Sequence, residues 1–218
     1  MNDLLGFSKV IALLENCKKP IVGHNIFMDM ILLHNQFIGP LPGKYTTFKE
    51  NIHKVFPQIF DTKYISHEMS KKLTYDEVWK TNVLQDLYEF FSEGKSKKLQ
   101  KGANSIKSAI PFSENYTYHQ AGWDSYCSAY CFTRLSQWAA CEARGCYRTL
   151  GPSEILAAVQ PLANRVNVIR ASILYLDFAN EDPPRQRPEL LHIKALNERV
   201  INIAKRRKAA LSKENHGA

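Results

Sequence analysis

Cysteine is scarce in this chain, and its few cysteines form no framework. Cys17, Cys127, Cys131, Cys141 and Cys146 make an odd set of five, with no Cys-x-x-Cys pair among them. That excludes a disulfide scaffold and points to reduced thiols in the cytosol or nucleus. It also removes the usual clip for structural zinc. Cys127 and Cys131, four apart on an expected helix, fall on its apolar face and read as small buried hydrophobes. No run of apolar residues is long enough to span a bilayer, and Met1 to Lys9 carry no signal-peptide pattern. The expectation is a cytoplasmic or nuclear protein, with membrane association only through sequence outside this chain. No internal repeat is evident.

Acidic residues are the minority. Lys and Arg total 29 against 21 Asp and Glu, a net charge of +8. This balance favours nucleic acid or an anionic membrane surface as partner, although a generic basic soluble protein would share it. The basic residues concentrate at Lys95, Lys97, Lys98, Lys101 and Lys107, and again at Lys205, Arg206, Arg207 and Lys208. The second cluster reads either as an RNA or nuclear-import patch or as a solvated helix end. With 218 residues, 44% of them hydrophobic, the chain has material for one good core, or one core and part of a second.

The hydrophobic pattern alternates helix and strand. Leu4, Phe7, Val10, Ile11 and Leu14 recur at helical spacing. Pro20 to Val22 reads as a short buried strand that stops at Gly23. A helix is expected from about Ile26 to Gln36, ended by Gly39-Pro40, and a short one after Thr46 or Thr47 through Lys54. Gln58 to Thr62 reads as a second strand. Tyr75 to Phe91 looks helical, and residues 92–113 read as an exposed basic loop. A long helix is expected from about Gly122 to Glu142, its stripe of Trp123, Tyr126, Cys127, Tyr130, Cys131, Leu135 and Trp138 serving packing rather than base stacking. Gly151-Pro152 marks a boundary. Beyond it lie a β-rich run from Val166 to Leu176, a Pro-rich turn from Ala179 to Pro188, a strand candidate from Leu190 to Leu196, and a basic helix from about Asn197. The order implies an α/β layered domain over residues 1–150, followed by a different region over 151–218.

Two segments carry chemistry. In Val22-Gly23-His24-Asn25-Ile26-Phe27-Met28-Asp29 a strand ends, a tight turn follows, and Asn25 and Asp29 lie four apart, on one face of the first helical turns. Asn25 reads as the helix cap. Asp29 reads as an acidic group placed to help hold a divalent cation. A capping Asn with a solvated Asp is the alternative. In His119-Gln120-Ala121-Gly122-Trp123-Asp124, Ala121 and Gly122 would permit close backbone approach where a helix begins. Asp124 would be a hard oxygen ligand for Mg²⁺, and His119 a general base for a water; as a lone residue, His119 also fits an ordinary surface or capping role.

Together, Gly-His-Asn-x-x-x-Asp followed by His-x-Ala-Gly-x-Asp resembles the second and third motifs of DEDDh exonucleases. Gly6 to Val10, Lys19 to Asn25, Pro40-Leu41-Pro42, Phe48-Lys49, Phe56-Pro57 and Asp61-Thr62-Lys63 follow the pattern of the poly(A)-specific ribonuclease family. Asn51-Ile52-His53-Lys54-Val55-Phe56-Pro57 is most similar to its PARN-like domain-containing, or Trimmer, branch, which shortens the 3′ ends of PIWI-interacting RNA precursors. The resemblance covers roughly residues 4–140, and weakly 164–196. It implies a ribonuclease H-like fold, two divalent ions, usually Mg²⁺, and a site of four carboxylates and a His. Asp29 would be the third carboxylate, Asp124 the fourth and His119 the general base. Asn25, Lys95, Lys97, Lys98 and Lys101 become candidate RNA contacts. The implied partners are single-stranded RNA 3′ ends, a second copy of the chain and, for the Trimmer-like branch, PIWI and Tudor-type proteins.

The family's first motif is Asp-x-Glu, and none of the aspartates here is followed two residues later by Glu. The expectation is therefore a chain that lacks the first strands of the fold and half of the site. Such a chain would be inactive alone; a catalytically inactive RNA-binding or dimerising remnant is the competing reading. Residues 151–218 resemble a helix and the lead into an RNA-recognition-motif domain, without its paired aromatic motifs.

Overall fold

Ile21–Gly23 (β1) and Ile59–Asp61 (β2) pair in parallel, Ile21 opposite Ile59 and Gly23 opposite Asp61. A computed structural model describes residues 6–72, 79, 81–93, 106, 120–145, 148–169 and 171–185, all within one compact unit, Met1–Gln186. His119, the loop lysines Lys95, Lys97, Lys98, Lys101 and Lys107, the candidate strand 190–196 and the basic tail lie outside the described residues.

The helices are Ser8–Cys17 (α1), Phe27–Leu33 (α2), Tyr45–Val55 (α3), Thr62–Ser70 (α4), Leu84–Ser92 (α5), Ala121–Arg144 (α6) and Pro152–Val159 (α7). An antiparallel pair, Arg165–Asn167 (β3) and Tyr175–Asp177 (β4), follows. Helix α2 runs on into a π-helical turn, His34–Ile38, which ends at Gly39. Helix α4 begins directly at the end of β2, so that Thr62, expected as the last residue of the strand, is instead the first of the helix. Asp61 caps it, accepting the Lys63 N–H at 2.9 Å.

Successive residues of β2 face opposite sides, and this sets the layering. Ile59 packs with Ile26, Met30, Phe48, Ile52 and Phe56, on the side of α2 and α3. Phe60 packs with Ile65, Leu87, Leu135 and Trp138, on the side of α4, α5 and α6. Both faces of the parallel pair are thus covered by helices, which explains why the β2 sequence is apolar without alternation. On α6, Cys127, Cys131, Leu135 and Trp138 recur at helical spacing and are buried, so the stripe packs as its pattern implies. The thiols of Cys127 and Cys131 are pushed up by burial, that of Cys127 to about 12.

Residues on both sides of the expected 150/151 boundary share one core. Val166, Leu176 and Phe178 join the Ile59 cluster, and Val159 joins the Phe60 cluster. Asn164, with a positive φ of 64°, binds β2 directly. Its side-chain oxygen accepts the Ile59 N–H at 3.0 Å, its side-chain amide donates to Pro57 O at 3.0 Å, and its backbone N–H donates to Ile59 O at 2.7 Å. Asp182 ties the following loop to α3, accepting from Lys49 Nζ at 2.9 Å and Tyr45 Oη at 2.7 Å. Among the described residues no helix is long and apolar enough to cross a membrane.

Candidate active site

The carboxyl ends of β1 and β2 open into a cleft of about 770 Å³. Ligand crevices in α/β proteins form at this end of a parallel sheet, because chain leaves the sheet here and helix N-termini converge. Val22 and Gly23 of β1 line it, followed by His24, Asn25, Ile26 and Asp29 from the turn into α2. Lys63 enters from the start of α4, and Val83, Leu84 and Gln85 from the start of α5. Ala121, Asp124, Ser125 and Ser128 enter from α6.

The turn that carries Asn25 and Asp29 is tightly built. A Cβ on Gly23 would lie 2.5 Å from Ile26 Cδ1 and 2.9 Å from its Cγ1, so the close packing of this turn calls for glycine. Asn25 has a positive φ of 59°, tolerable for Asn. It does not cap α2 as the sequence suggested. The N-cap position falls on Ile26, with no side-chain cap, and the Asn25 side-chain oxygen accepts instead from Asn167 Nδ2 at 2.9 Å. The turn is held by Asp61, which is fully buried. One carboxylate oxygen of Asp61 accepts the N–H groups of Asn25 and Lys63, and the other accepts the N–H of Asn167 at 2.9 Å. Burial pushes the Asp61 carboxyl up, and these backbone donors pull against that shift.

Asp29 and Asp124 both lie in the first turns of their helices, where the amide dipoles favour negative charge. They come from segments far apart in sequence and line the same cleft, together with Asn25. Among the described residues nothing lies within 4 Å of a Cβ placed on Gly122.

Three cleft residues escaped the sequence reading as site candidates. Lys63 lay inside Asp61-Thr62-Lys63, and the Asp of a strand end followed by helix is the signal that would have placed it. His24 lies 2.9 Å, through Nδ1, from Thr62 Oγ1, which itself donates to Gly23 O at 3.0 Å. Burial, and next the Lys63 charge, lower the His24 imidazole to about 4, against a backbone hydrogen bond at Asn82. It is therefore neutral at neutral pH. Ser128 follows Asp124 by one helical turn on the same face.

The cleft is thus lined by two carboxylates from different helices, Asp29 and Asp124, together with the neutral His24 and Lys63. Among the described residues no group of three His, Cys, Asp or Glu side chains is gathered to hold a metal ion.

A family model described as CAF1 family ribonuclease matches residues 1–132, a stretch that contains both Asp29 and Asp124. The pre-piRNA 3′-exonuclease trimmer of Bombyx mori is 62% identical, over 93% of this chain and 38% of that protein. Poly(A)-specific ribonuclease PNLDC1 of Mus musculus is 31% identical, over 85% of this chain and 35% of its own length. Poly(A)-specific ribonuclease PARN of Homo sapiens is 28% identical, over 88% and 29%. The chain therefore spans a little over a third, or less, of each of these relatives. With more than half of its residues matched by the family model, and both acid-bearing turns inside the match, the chain belongs to the CAF1 ribonuclease family.

Proposed function

We propose that this chain carries part of the active site of a 3′-to-5′ exoribonuclease of the poly(A)-specific ribonuclease type, with RNA 3′ ends as substrate. The observation that carries the reading is the meeting of Asp29 and Asp124 in one cleft at the carboxyl end of the parallel strands. The 62% identity to a pre-piRNA 3′-exonuclease favours PIWI-interacting RNA precursors over poly(A) tails. Helices on both faces of a parallel pair support a ribonuclease H-like arrangement.

The donor set fits a hard cation. Mg²⁺ is commonly held by one or two carboxylates, with waters and substrate phosphates completing its shell. Asp29 and Asp124 are the residues that would hold it, and when bound it supplies charge neutralisation at the phosphate and an acidified water. The protein's own groups do the rest. Lys63 sets a positive charge beside the backbone of the incoming strand. The Asn25 side chain, fixed by Asn167, presents its amide at the same mouth. His119, just ahead of α6, would accept a proton from the attacking water. Lys95, Lys97, Lys98 and Lys101 would hold backbone phosphates further along the strand.

The test is titration of a labelled oligoadenylate and of a labelled single-stranded RNA into the chain with and without Mg²⁺. Binding that requires the metal, and is lost in both Asp29→Ala and Asp124→Ala, supports the reading. Binding indifferent to both substitutions removes these carboxylates from the site.

A further inference from the structure

An Asn side chain has two unlike edges, an oxygen that accepts and an N–H pair that donates. Which edge Asn25 turns to the cleft is set from far along the chain. Its oxygen accepts from Asn167 Nδ2 at 2.9 Å, across 142 positions of sequence. Asn25 lines the cleft, and among the described residues no hydrogen bond takes its amide N–H groups. With the oxygen held at β3, the donor edge is the one left for a ligand.

Asn167 is firmly mounted for this task. Its backbone N–H donates to Asp61 at 2.9 Å, and the same carboxylate accepts the Asn25 N–H at 2.8 Å, so both residues are braced against one buried group. It pairs with Tyr175 across the β3–β4 ladder, and its neighbour Val166 is buried in the core. A side chain supported in this way holds its partner to one setting. Asn167 is not among the described residues that line the cleft, and it lies beyond the residues that the family model matches. Its reach into the site runs through Asn25.

The setting matters because the two edges suit different ligands. N–H donors meet the oxygens of an RNA backbone. An amide oxygen turned into the cleft would instead be a further hard ligand for a divalent cation, beside Asp29 and Asp124. Resting on the exonuclease reading above, we infer that Asn167 is a positioning residue. By holding the Asn25 oxygen it aims the Asn25 N–H groups at the RNA backbone and keeps that oxygen away from the cation.

The experiment measures anisotropy of a labelled oligoadenylate on the 218-residue chain, with Ca²⁺ in place of Mg²⁺. The variants are Asn167→Ala and Asn167→Asp, each alone and in an Asn25→Ala background. All of them keep the backbone N–H of residue 167 on Asp61, and melting temperatures check the fold. Asn167→Ala frees the Asn25 amide to turn and should weaken RNA binding roughly three- to tenfold, the worth of one hydrogen bond. Asn167→Asp replaces the donor by an acceptor, which draws the Asn25 N–H groups back and turns its oxygen into the cleft. It should weaken RNA binding further, while Ca²⁺ titrated alone binds it more tightly than it binds the same substitution made with Asn25→Ala. With Asn25→Ala in place, Asn167→Ala should change RNA affinity little, because the group it acts through is gone. Should the Asp variant not fold, the alanine cycle decides alone. Losses of equal size in both backgrounds, or an Asn167→Asp variant that binds RNA as wild type does, overturn the inference and leave the exonuclease reading standing. Failure of wild type to bind oligoadenylate, with Asp29→Ala no different, overturns both.

Discussion

Asp61 accepts the backbone N–H of Asn25 at 2.8 Å, joining the end of β2 to the turn that leaves β1. The same carboxylate takes the N–H of Asn167, so three segments meet on one buried group. Asn25 keeps its left-handed backbone because this acceptor is in place, and Asp29 follows one helical turn later. Replacing Asp61 by Ala strands buried N–H donors, each at a cost of roughly 1–3 kcal/mol. Asp61→Ala is therefore expected to lower stability by about 3 kcal/mol or more, and to weaken metal-dependent RNA binding even at temperatures where the protein stays folded. Urea melts read the first effect and titration the second; full binding in a destabilised variant would detach the turn from the site.

His24 predicts a pH dependence. Its folded value is about 4, against 6.5 when exposed, so between those values the unfolded chain binds a proton that the folded one refuses. Stability should fall as pH drops from about 6.5 toward 4 and level off below, a loss on the order of 3 kcal/mol. His24→Gln should flatten that segment of the stability profile. A profile unchanged by the substitution would show that other groups carry the acid sensitivity.

The α/β alternation and the two acid-bearing turns were legible in the sequence because each rests on local pattern. Apolar runs at residues 21–22 and 59–60 mark the paired strands, half-buried in β1 and fully buried in β2, and Asp29 and Asp124 open helices with clear periodicity. What stayed hidden depends on contacts across the chain. The Asn25 side chain is drawn away from capping by Asn167, whose position follows from the pairing of β3 with β4. Val166 and Phe178 belong to the first core although composition shifts at residue 151, because Asn164 bonds directly to β2. Lys63 and Ser128 become cleft residues only once α4 and α6 are docked against the strands.

Gly23 offers a test of how tightly the turn is built. A methyl group there would force Ile26 aside, and Ile26 is buried in the core. Gly23→Ala should cost about 1–3 kcal/mol through overpacking. The companion substitution Ile26→Val, which trims the opposing side chain, should recover part of that loss when combined with it. Additive losses in the double variant would mean that the two side chains do not compete for space.

Lys63 is expected to act on RNA through charge rather than shape. Lys63→Ala should weaken binding of single-stranded RNA irrespective of sequence and lower the slope of log affinity against log salt by about 1. Removing Lys95, Lys97, Lys98 and Lys101 together should lower it further. An unchanged slope in the Lys63 variant would place the strand elsewhere than beside α4.

The last expectation concerns cleavage by the 218 residues as they stand. The family resemblance calls for four carboxylates, and Asp29 and Asp124 are the two that its motifs locate in this sequence. Two carboxylates balance only half of the charge of two divalent ions, so a metal pair would be held weakly and the phosphate charge left largely unopposed. His119 would then have no acidified water to deprotonate. With labelled oligoadenylate and Mg²⁺, this chain should leave the substrate intact under conditions where the silkworm pre-piRNA 3′-exonuclease trimmer, run alongside as a longer relative, is assayed. Stepwise shortening by the 218-residue chain, abolished by Asp124→Ala, would show that its own groups suffice and that the two-carboxylate account of its inactivity is wrong.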